Sequence, residues 1–493
     1  MSTALAQLRP LLDRVRADVH DVVRDADAAA SLDRLAARLD EPLIVAIAGK
    51  VKAGKSTLLN ALIGESLAPT DAGECTQIVT WYRNGPTYRV VLELVDGTSR
   101  QARFHRDEGA LQVDLGGLPV DAIRRMVVDW PSARLQHITL IDTPGLDSIT
   151  TVNSARSQAF FGVDGDGDGE ADAVIYLMRH VHRTDLTFLE AFRDDTHAGA
   201  SPISALAVLS RADEVGACRL DAMSAARRIA AGWRDDPRLR RLVQTVVPVA
   251  GLTAEVATSL REDQYRALAT LAAMPRAEVD RLLLTADRFV NDERCPVTNV
   301  EREDLMARMG VFGVRLSISL IRLGAAPTAT ALAHELTARS GIDDLRGLLT
   351  SVLAERRSVL KARVALAGLD AVLSSVGHPA LDPWRIELER ISAGAHEFTE
   401  VHLLNAMRSG ALAFRPAEID ELERLLGTIG APPHVRLGLE PGAELRSPVL
   451  MGVDRWRRRA ENPLTPLELA DAARAIARTY EGLLPSPGPI TPS

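Results

Sequence analysis

The 493-residue chain has little of what marks disulfide-rich or membrane-spanning proteins. Its three cysteines, Cys75, Cys218 and Cys295, are widely spaced, which excludes a disulfide framework and a CxxC metal pair and fits a reducing cytosol. No apolar run approaches the ~18–20 residues needed to span a bilayer. Charges at Arg9 and Asp13 interrupt the stretch where a signal peptide would be apolar. We therefore expect a protein that is neither integral to a membrane nor secreted.

A surplus of positive charge is also missing, because 66 acidic and 58 basic residues give a net charge of −8. Proteins that coat nucleic acid usually carry a basic field, so we expect no nucleic-acid partner. Lysine itself is scarce, since only four of the 58 basic residues are lysine. Lys50, Lys52 and Lys55 stand within six residues of one another, and the fourth is Lys361. This cluster makes residues 50–55 the first candidate for a functional site.

Short, wholly apolar runs alternate with helix-length segments in the first half of the chain. Such runs suit strands that are buried on both faces, as in the parallel sheet of an α/β domain. They cover residues 43–48, 138–141, 173–177, 205–209 and 246–249. The sequence therefore predicts an α/β domain over residues 41–344, with a motif-bearing core at 41–251 and a helical extension at 252–344.

Both ends of the chain are predicted to be helical, because apolar residues recur there at three- and four-residue steps. One long helix is expected over residues 4–39, and residues 345–484 are expected to form a C-terminal set of helices. We expect the helices of residues 1–40 and 345–484 to form one all-α bundle or stalk. The tail, residues 485–493, has four prolines and is predicted to be disordered.

Residues 49–56 match the phosphate-loop pattern G-x-x-x-x-G-K-[ST] in full, between a buried strand and a helix. Backbone N–H groups of such a loop surround phosphate oxygens, and the helix N-terminus adds its positive dipole. Lys55 is predicted to reach the β- and γ-phosphates, and the Ser56 hydroxyl to bind Mg²⁺. The residues predicted here to bind nucleotide are Gly49, Lys52, Ala53, Gly54, Lys55, Ser56 and Thr57.

Two further segments are typical of a nucleoside triphosphate site. Asp142-Thr143-Pro144-Gly145 follows an apolar strand, so we expect Asp142 to hold Mg²⁺ through water and the Gly145 N–H to contact the γ-phosphate. The run from Pro69 to Thr76 is expected to supply a switch threonine whose hydroxyl closes over Mg²⁺. Thr76 is the preferred residue and Thr70 the alternative.

The base side of the site is predicted at Ser210-Arg211-Ala212-Asp213, a variant of the GTPase element [NT]-K-x-D. A carboxylate at Asp213 would accept hydrogen bonds from guanine N1 and N2, and the Arg211 stem would lie along the base plane. Serine for Asn/Thr and arginine for lysine leave both GTP and ATP open. Ala250-Gly251, after the last apolar strand, is the candidate for the remaining base-side element.

The phosphate loop, the run before Thr76, the Asp142–Gly145 segment and Ser210–Asp213 together resemble the dynamin superfamily. The likeness is to bacterial dynamin-like proteins, and more narrowly to the isoniazid-inducible dynamin-like proteins of mycobacteria. It covers residues 41–251. The resemblance implies a P-loop GTPase with Mg²⁺ as cofactor that forms a homodimer through its GTPase domain and remodels membranes. It also implies a cytoplasmic protein, peripheral on the inner face of the plasma membrane.

The resemblance also assigns roles to two residues. Lys52 stands where related large GTPases hold a basic residue that moves onto the transition-state charge on dimerisation. The catalytic residues that the resemblance implies are Lys52, Lys55 and Thr76. The alternative, which the sequence leaves equally open, is that Lys52 only increases the affinity for phosphate. Leu146 stands where Ras-type GTPases place a water-orienting glutamine. A soluble regulatory or stress GTPase that switches a protein partner, and a nucleotide-gated scaffold with slow hydrolysis, are the alternatives.

A basic cluster near the C-terminus is the candidate for contact with anionic lipids. It joins four arginines to an aromatic residue of the type found at membrane interfaces. Its residues are Arg455, Trp456, Arg457, Arg458 and Arg459. A solvated helix face explains the same pattern, and the turn at Val376–Trp384 is the other candidate tip.

Overall fold

The computed structural model describes residues 3–68, 78–107, 110–144, 171–194, 205–354, 357–408, 410–430 and 432–484. Within these ranges, ten strands form one mixed sheet in the order β10-β9-β8-β1-β7-β2-β6-β3-β4-β5. The strands are β1 (Leu43–Gly49), β2 (Thr80–Asn84), β3 (Arg89–Leu94), β4 (Ser99–Asp107), β5 (Ala110–Asp114), β6 (Ile123–Trp130), β7 (Ile138–Asp142), β8 (Ala173–Met178), β9 (Ala205–Ser210) and β10 (Val246–Val249). All five apolar runs predicted as strands are confirmed, as β1 and β7 to β10.

Strand β1 lies at the centre of the parallel part of the sheet, and all of its residues are buried. It pairs in parallel with β7 on one side and β8 on the other, with Ile47 opposite Asp142 and Gly49 opposite Leu177. Strands β9 and β10 continue the same direction. Since parallel strands end at one edge of a sheet, the loops after β1, β7, β9 and β10 are brought together there.

The other half of the sheet, β2 to β6, is absent from the sequence prediction. These strands are mostly antiparallel, and some alternate buried and exposed side chains, as β3 does. A search for wholly apolar runs detects strands covered on both faces and misses strands with one solvated face. Strand β2 joins the two halves, because it pairs antiparallel with β7 and parallel with β6.

Helices cover the sheet and make up both ends of the chain. Those before residue 300 are α1 (Thr3–Asp18), α2 (Ala26–Asp40), α3 (Lys55–Ile63), α4 (Arg183–Asp194), α5 (Ala222–Asp235), α6 (Pro237–Arg240), α7 (Gly251–Ser259), α8 (Glu262–Ala273), α9 (Arg276–Leu282), α10 (Ala286–Asn291) and the start of α11 (Asn299–Arg322). Those that follow are α12 (Ala329–Ser340), α13 (Ile342–Leu348), α14 (Arg357–Val376), α15 (Asp382–Gly394), α16 (His396–Arg408), α17 (Pro416–Leu425), α18 (Pro433–Leu437), α19 (Arg446–Glu461) and α20 (Leu467–Glu481).

The prediction of one long helix over residues 4–39 is wrong, because α1 and α2 form an antiparallel hairpin. Arg24 adopts a left-handed conformation, and the Asp25 carboxylate then accepts hydrogen bonds from two N–H groups of α2. Across the hairpin the Arg16 guanidinium donates to Asp33 at 2.9 Å. The apolar spacing continues through the break because both helices bury their apolar stripe in one core.

The C-terminal helices contribute to two different cores. Helices α14 and α15 share a core with α1 and α2, so a bundle is built from both chain ends as predicted. Residues from α16 onward instead share a core with the α/β domain. Helices α15 and α16 are accordingly separated at Ala395, whose backbone is extended. The domain boundaries given above stay a prediction.

Arg408, at the end of α16, fastens the second group of helices to the α/β domain. Its buried guanidinium donates to the carbonyl oxygens of Val243 at 2.9 Å and Gln244 at 3.0 Å, beside the start of β10. Its Nε donates to Glu423 of α17 at 3.0 Å. Every one of these bonds joins an ionised donor to an acceptor, which makes them stronger than neutral hydrogen bonds.

A buried carboxylate, Asp172, joins the α/β domain to the bundle. Its Oδ2 lies 2.7 Å from the Lys361 ammonium of α14, and its Oδ1 accepts from Arg38 of α2 at 3.2 Å. The N–H of Ile44, in β1, also donates to Asp172, at 2.8 Å. Burial lowers the pKa of Lys361, and the charge of Asp172 opposes that change. One carboxylate therefore holds β1, α2 and α14 together.

Lys361→Met is expected to lower the free energy of unfolding by ~3–5 kcal/mol, because it leaves Asp172 buried with only part of its compensation. Chemical denaturation measures this difference directly. The matched control is Arg276→Met, which removes one side of an exposed ion pair with Asp280 and should cost below ~1 kcal/mol. Equal losses for the two variants would contradict the role given to the buried pair.

Candidate nucleotide-binding site

The phosphate loop leaves β1 at Gly49 and enters α3 at Lys55, as the sequence predicts. Gly49 has a φ of 149°, and a Cβ there would lie 2.7 Å from the carbonyl oxygen of Leu177 in the neighbouring strand. Only glycine therefore fits where the loop turns away from the sheet. The loop N–H groups and the N-terminus of α3 then face the same edge of the sheet, which is the arrangement that binds phosphate.

The three clustered lysines differ in what they contact. The Lys55 ammonium donates to the carbonyl oxygens of Gly49 at 3.3 Å and Lys50 at 3.2 Å, so it lies across the loop. The Lys50 ammonium lies 3.6 Å from the buried carboxylate of Asp185 in α4. The Lys52 side chain is exposed, and no carboxylate of the described residues pairs with it. Lys50 was not predicted as a site residue, since its partner is distant in sequence.

Ser56 and Asp142 lie together at the carboxyl ends of β1 and β7. The Ser56 hydroxyl donates to Asp142 Oδ2 at 2.9 Å, and Asp142 Oδ1 is buried without a hydrogen-bond partner among the described residues. Burial raises the pKa of Asp142, and the nearby Lys55 charge and the Ser56 hydrogen bond oppose that rise. A buried carboxylate oxygen beside a hydroxyl is the hard oxygen donor set that Mg²⁺ prefers. These two residues therefore fit a magnesium ion.

Other predicted residues of this region cannot be placed. Thr76, its alternative Thr70, Gly145 and Leu146 all lie outside the described residues, so their roles stay predictions. Thr143, just after Asp142, donates through its hydroxyl to the carbonyl oxygen of Ile47 at 2.8 Å. This bond fixes the start of the Asp142–Gly145 segment against the strand that carries the phosphate loop.

The base-side element follows β9, beside the phosphate loop. Arg211 has a left-handed backbone, and its guanidinium donates to the Lys52 carbonyl at 2.9 Å and to Glu214 at 2.8 Å. The contact of its stem with a base plane stays a prediction, and the guanidinium links the base side to the phosphate loop. Asp213 is 6% exposed, and burial raises the pKa of its carboxyl to about 6. The hydroxyl of Ser210 is buried and unpartnered within the residues described.

The end of the phosphate loop, the base-side element and the starts of α3 and α7 line one cleft of about 550 Å³, which includes its open mouth. The predicted residues that line it are Ala53, Gly54, Thr57, Ser210, Arg211, Asp213 and Gly251. Its apolar wall was not predicted and consists of Leu58, Leu177, Val208, Val249 and Leu252. Leu177, Val208 and Val249 lie near the ends of β8, β9 and β10. The ends of the predicted strands were therefore the sequence signal that could have identified this wall.

Ala250 does not line the cleft, and its part in nucleotide binding stays a prediction. It is fully buried, and its N–H donates to the carbonyl oxygen of Ser340 at 2.9 Å. Its neighbour Gly251 does line the cleft, as the first residue of α7. A Cβ at Gly251 would lie 3.2 Å from a methyl carbon of Thr57, so the absence of a side chain lets α7 and α3 approach closely.

Asp213→Asn is expected to weaken the preference for guanine over adenine nucleotides by ~1–3 kcal/mol, because an amide oxygen without charge replaces an ionised acceptor. The same preference should fall as the pH drops through about 6, where the wild-type carboxylate takes up a proton. Calorimetry with GDP and ADP above and below this pH measures both effects. Asp221→Asn, an exposed carboxylate after the same turn, is the control and should change neither.

The buried position of Trp456 does not fit the lipid contact predicted for it, and the contact of the remaining residues of 455–459 with lipid stays a prediction. The indole is 1% exposed and packs edge-on against the Phe414 ring, with the two ring centroids 6.0 Å apart. The arginines of the cluster all have carboxylate partners: Arg455 with Glu421, Arg457 with Glu481, Arg458 with Asp454 and Arg459 with Glu418. Within the residues described, none of the helices has the length and apolar character needed to cross a bilayer.

Comparison with known proteins places this site in a family. A family model described as Dynamin family matches residues 45–183. The isoniazid-induced protein IniC of Mycobacterium tuberculosis is 37% identical over 485 residues, which cover 96% of this chain and 98% of that protein. The bacterial dynamin-like protein of Nostoc punctiforme is 32% identical over 148 residues, covering 27% of this chain and 20% of that protein.

Among solved structures, one chain of an oligomerised bacterial dynamin pair aligns over 97% of this chain and 73% of its own length. The identity is 13% and the TM-score 0.29, so the arrangement of the helices rests on the contacts within this chain alone. The near-complete match to IniC and the family match extending from β1 across the phosphate loop and Asp142 agree with each other. The chain therefore belongs to the dynamin family and is a GTPase.

Proposed function

We propose that this GTPase uses Mg²⁺ and couples GTP hydrolysis to the pairing of two GTPase domains on an anionic membrane surface. The observation that carries the proposal is the position of Lys52 beside the cleft. Its backbone is held in a left-handed conformation at φ 62°, and Arg211 binds its carbonyl oxygen. Its ammonium has no acidic partner within the described ranges, in contrast to that of Lys50.

Such a lysine is free to move onto charge that develops during hydrolysis. Lys55 lies across the loop and is placed for the β- and γ-phosphates, and Ser56 and Asp142 are placed to hold Mg²⁺, which would neutralise phosphate charge. A second protomer that covers the mouth of the cleft would exclude water and strengthen the action of Lys52 on the phosphates. A residue of this kind is worth ~10³–10⁵ in rate in other GTPases.

The membrane contact is proposed at the end of the bundle that carries the turns between α1 and α2 and between α14 and α15. These turns meet where the Trp384 indole donates to Asp18 at 2.7 Å. Two large apolar side chains there remain exposed, Val22 by 55% and Ile386 by 68%. This assignment takes up the alternative tip predicted at Val376–Trp384. It would place the protein in the cytoplasm, peripheral on the inner face of the plasma membrane.

The double variant Val22→Asp/Ile386→Asp is expected to reduce sedimentation with anionic liposomes at least tenfold while basal GTP hydrolysis stays unchanged. Apolar contact is worth ~1.5–3 kcal/mol for each buried side chain, and two carboxylates near anionic lipid add repulsion. The comparison variant is Arg457→Glu/Arg458→Glu, at the ion-paired cluster. If that variant loses lipid and the first does not, the contact lies at residues 455–459 instead.

A soluble regulatory GTPase that switches a protein partner is the second candidate. The observation that favours it is the pairing of all four arginines of the 455–459 cluster with carboxylates of this chain. Sedimentation of the wild type with liposomes, with and without a transition-state mimic of GTP, separates the two candidates. Absence of lipid binding in both conditions would favour the soluble protein.

A further inference from the structure

Asn60, in the helix that follows the phosphate loop, uses its whole hydrogen-bonding capacity. The side chain is 1% exposed. Its Oδ1 accepts from the N–H groups of Leu67 at 2.9 Å and Ala68 at 2.7 Å. Its Nδ2 donates to the carbonyl oxygen of Ala68 at 3.0 Å and to Glu255 Oε1 at 2.7 Å. A primary amide has two donors and two such acceptor positions, and all four are used here.

Few other side chains can replace this amide. An aspartate keeps both acceptor positions, but it cannot donate and would bring a second carboxylate against Glu255. A leucine of similar shape removes the Asn60 partner from the N–H and the carbonyl of Ala68 and from the Glu255 carboxylate, and the Leu67 N–H keeps only its bond to the Glu65 carbonyl at 3.0 Å. A buried polar group that loses its partner costs ~1–3 kcal/mol, so the identity of this residue is tightly constrained.

The segment that Asn60 holds lies directly before the predicted switch. Leu67 and Ala68 are fully buried and precede residues 69–77, in which the sequence predicts the switch threonine. Glu255 is in α7, one turn after Gly251 of the cleft. The Asn60 side chain therefore connects the phosphate-loop helix, the base-side helix and the entry to the switch segment.

The Glu255 carboxylate accepts a hydrogen bond from the Asn60 amide, which is its main side-chain contact among the described residues. Burial raises the pKa of its carboxyl to about 7, and the Asn60 hydrogen bond and the charge of Arg308 oppose the rise. The acceptor that Asn60 needs is an oxygen, which a glutamine also supplies. The contact thus depends on the polar atom at this position more than on its charge.

We propose that Asn60 is a positioning residue for GTP hydrolysis, which fixes the entry to residues 69–77, and that Glu255 orients its amide. The proposal rests on the proposed function, because it requires a switch segment that responds to the γ-phosphate. Asn60 itself does not touch nucleotide. Its loss should impair turnover far more than the binding of GDP, in which no γ-phosphate is present.

The test compares Asn60→Asp, Glu255→Leu and Glu255→Gln with the wild type. We measure kcat and KM for GTP, the affinity for GDP and the thermal midpoint of each protein. Asn60→Asp and Glu255→Leu are expected to lower kcat about 10–100-fold, the scale of a small misplacement near reacting groups, with GDP affinity almost unchanged. Glu255→Gln should restore most of kcat. Thr258→Ala, which removes a hydroxyl bond to the backbone of Glu255 at 2.7 Å, is the control in the same helix and should leave kcat unchanged.

Parallel losses of kcat and GDP affinity would assign Asn60 a structural role in α3 and overturn the proposal. An unchanged kcat in Asn60→Asp and Glu255→Leu, with normal thermal midpoints, would overturn it too. If Asn60→Asp does not fold, the pair Glu255→Leu and Glu255→Gln decides, since equal kcat in the two contradicts the orienting contact. A wild type that does not hydrolyse GTP would refute the proposed function, which is a different result from any of these.

Discussion

Lys55→Ala is expected to abolish GTP binding, with a loss of at least ~3 kcal/mol, or more than about a hundredfold in affinity. The Lys55 ammonium lies across the phosphate loop, where it donates to the carbonyl oxygens of Gly49 and Lys50. It is thus held where phosphate oxygens of the nucleotide would lie, and alanine removes this compact charge completely. Calorimetry with GTP in the presence of Mg²⁺ measures the effect.

Two controls make this result specific. A thermal midpoint close to that of the wild type without nucleotide would show that the fold is kept. Lys52→Ala, at the exposed lysine of the same loop, should retain most of the affinity. Micromolar GTP affinity in Lys55→Ala would overturn the assignment of the phosphate loop, and equal losses in both variants would contradict the different roles given to the two lysines.

Lys52→Ala is expected to remove the rise of GTPase activity with enzyme concentration. An isolated wild-type protomer should turn over slowly, because Leu146 cannot orient a water molecule as a glutamine does. When two protomers meet, the exposed Lys52 ammonium can act on the phosphates in a site from which water is excluded. The rate per protomer, measured from nanomolar to micromolar enzyme, should therefore rise steeply for the wild type and stay nearly flat for Lys52→Ala.

The conservative variant Lys52→Arg tests whether charge is what matters. It should recover part of the rise, because a guanidinium keeps the positive charge with a different shape. A flat wild-type profile would contradict activation by pairing. A Lys52→Ala profile that runs parallel to that of the wild type would show that Lys52 contributes only phosphate affinity.

The parts of the site that the sequence predicts are those written in consecutive residues. The Gly49–Ser56 loop between a buried strand and a helix determines its own geometry, because glycine conformations and the start of α3 are local properties. Asp142 and Asp213 are predictable for a similar reason. Each lies at or just after the end of an apolar strand, and parallel strands end at one edge of the sheet, so both side chains are brought to that edge.

Contacts between distant residues were not predictable from local patterns. Lys50 pairs with Asp185, and Lys361 pairs with Asp172. The two residues of each pair are far apart in the sequence and do not belong to a common sequence motif. Trp456 is flanked by arginines in the sequence, as aromatic residues at membrane interfaces often are. The packing of α19 against α20 and α17 nevertheless buries it. The break between α1 and α2 was hidden by a continuous apolar spacing, since both helices face one core.

The most direct test of the account is the ratio of kcat/KM for GTP to that for ATP, measured with Mg²⁺ on the wild type. A cleft that reads guanine through the buried Asp213 carboxylate should favour GTP on the order of a hundredfold or more at neutral pH, because a site built to hydrogen-bond one base leaves its polar groups unpaired with the other. A ratio well above one that falls in Asp213→Asn is the predicted result. A ratio near one, or hydrolysis that survives in Lys55→Ala, would contradict the assignment of this cleft as the GTP site.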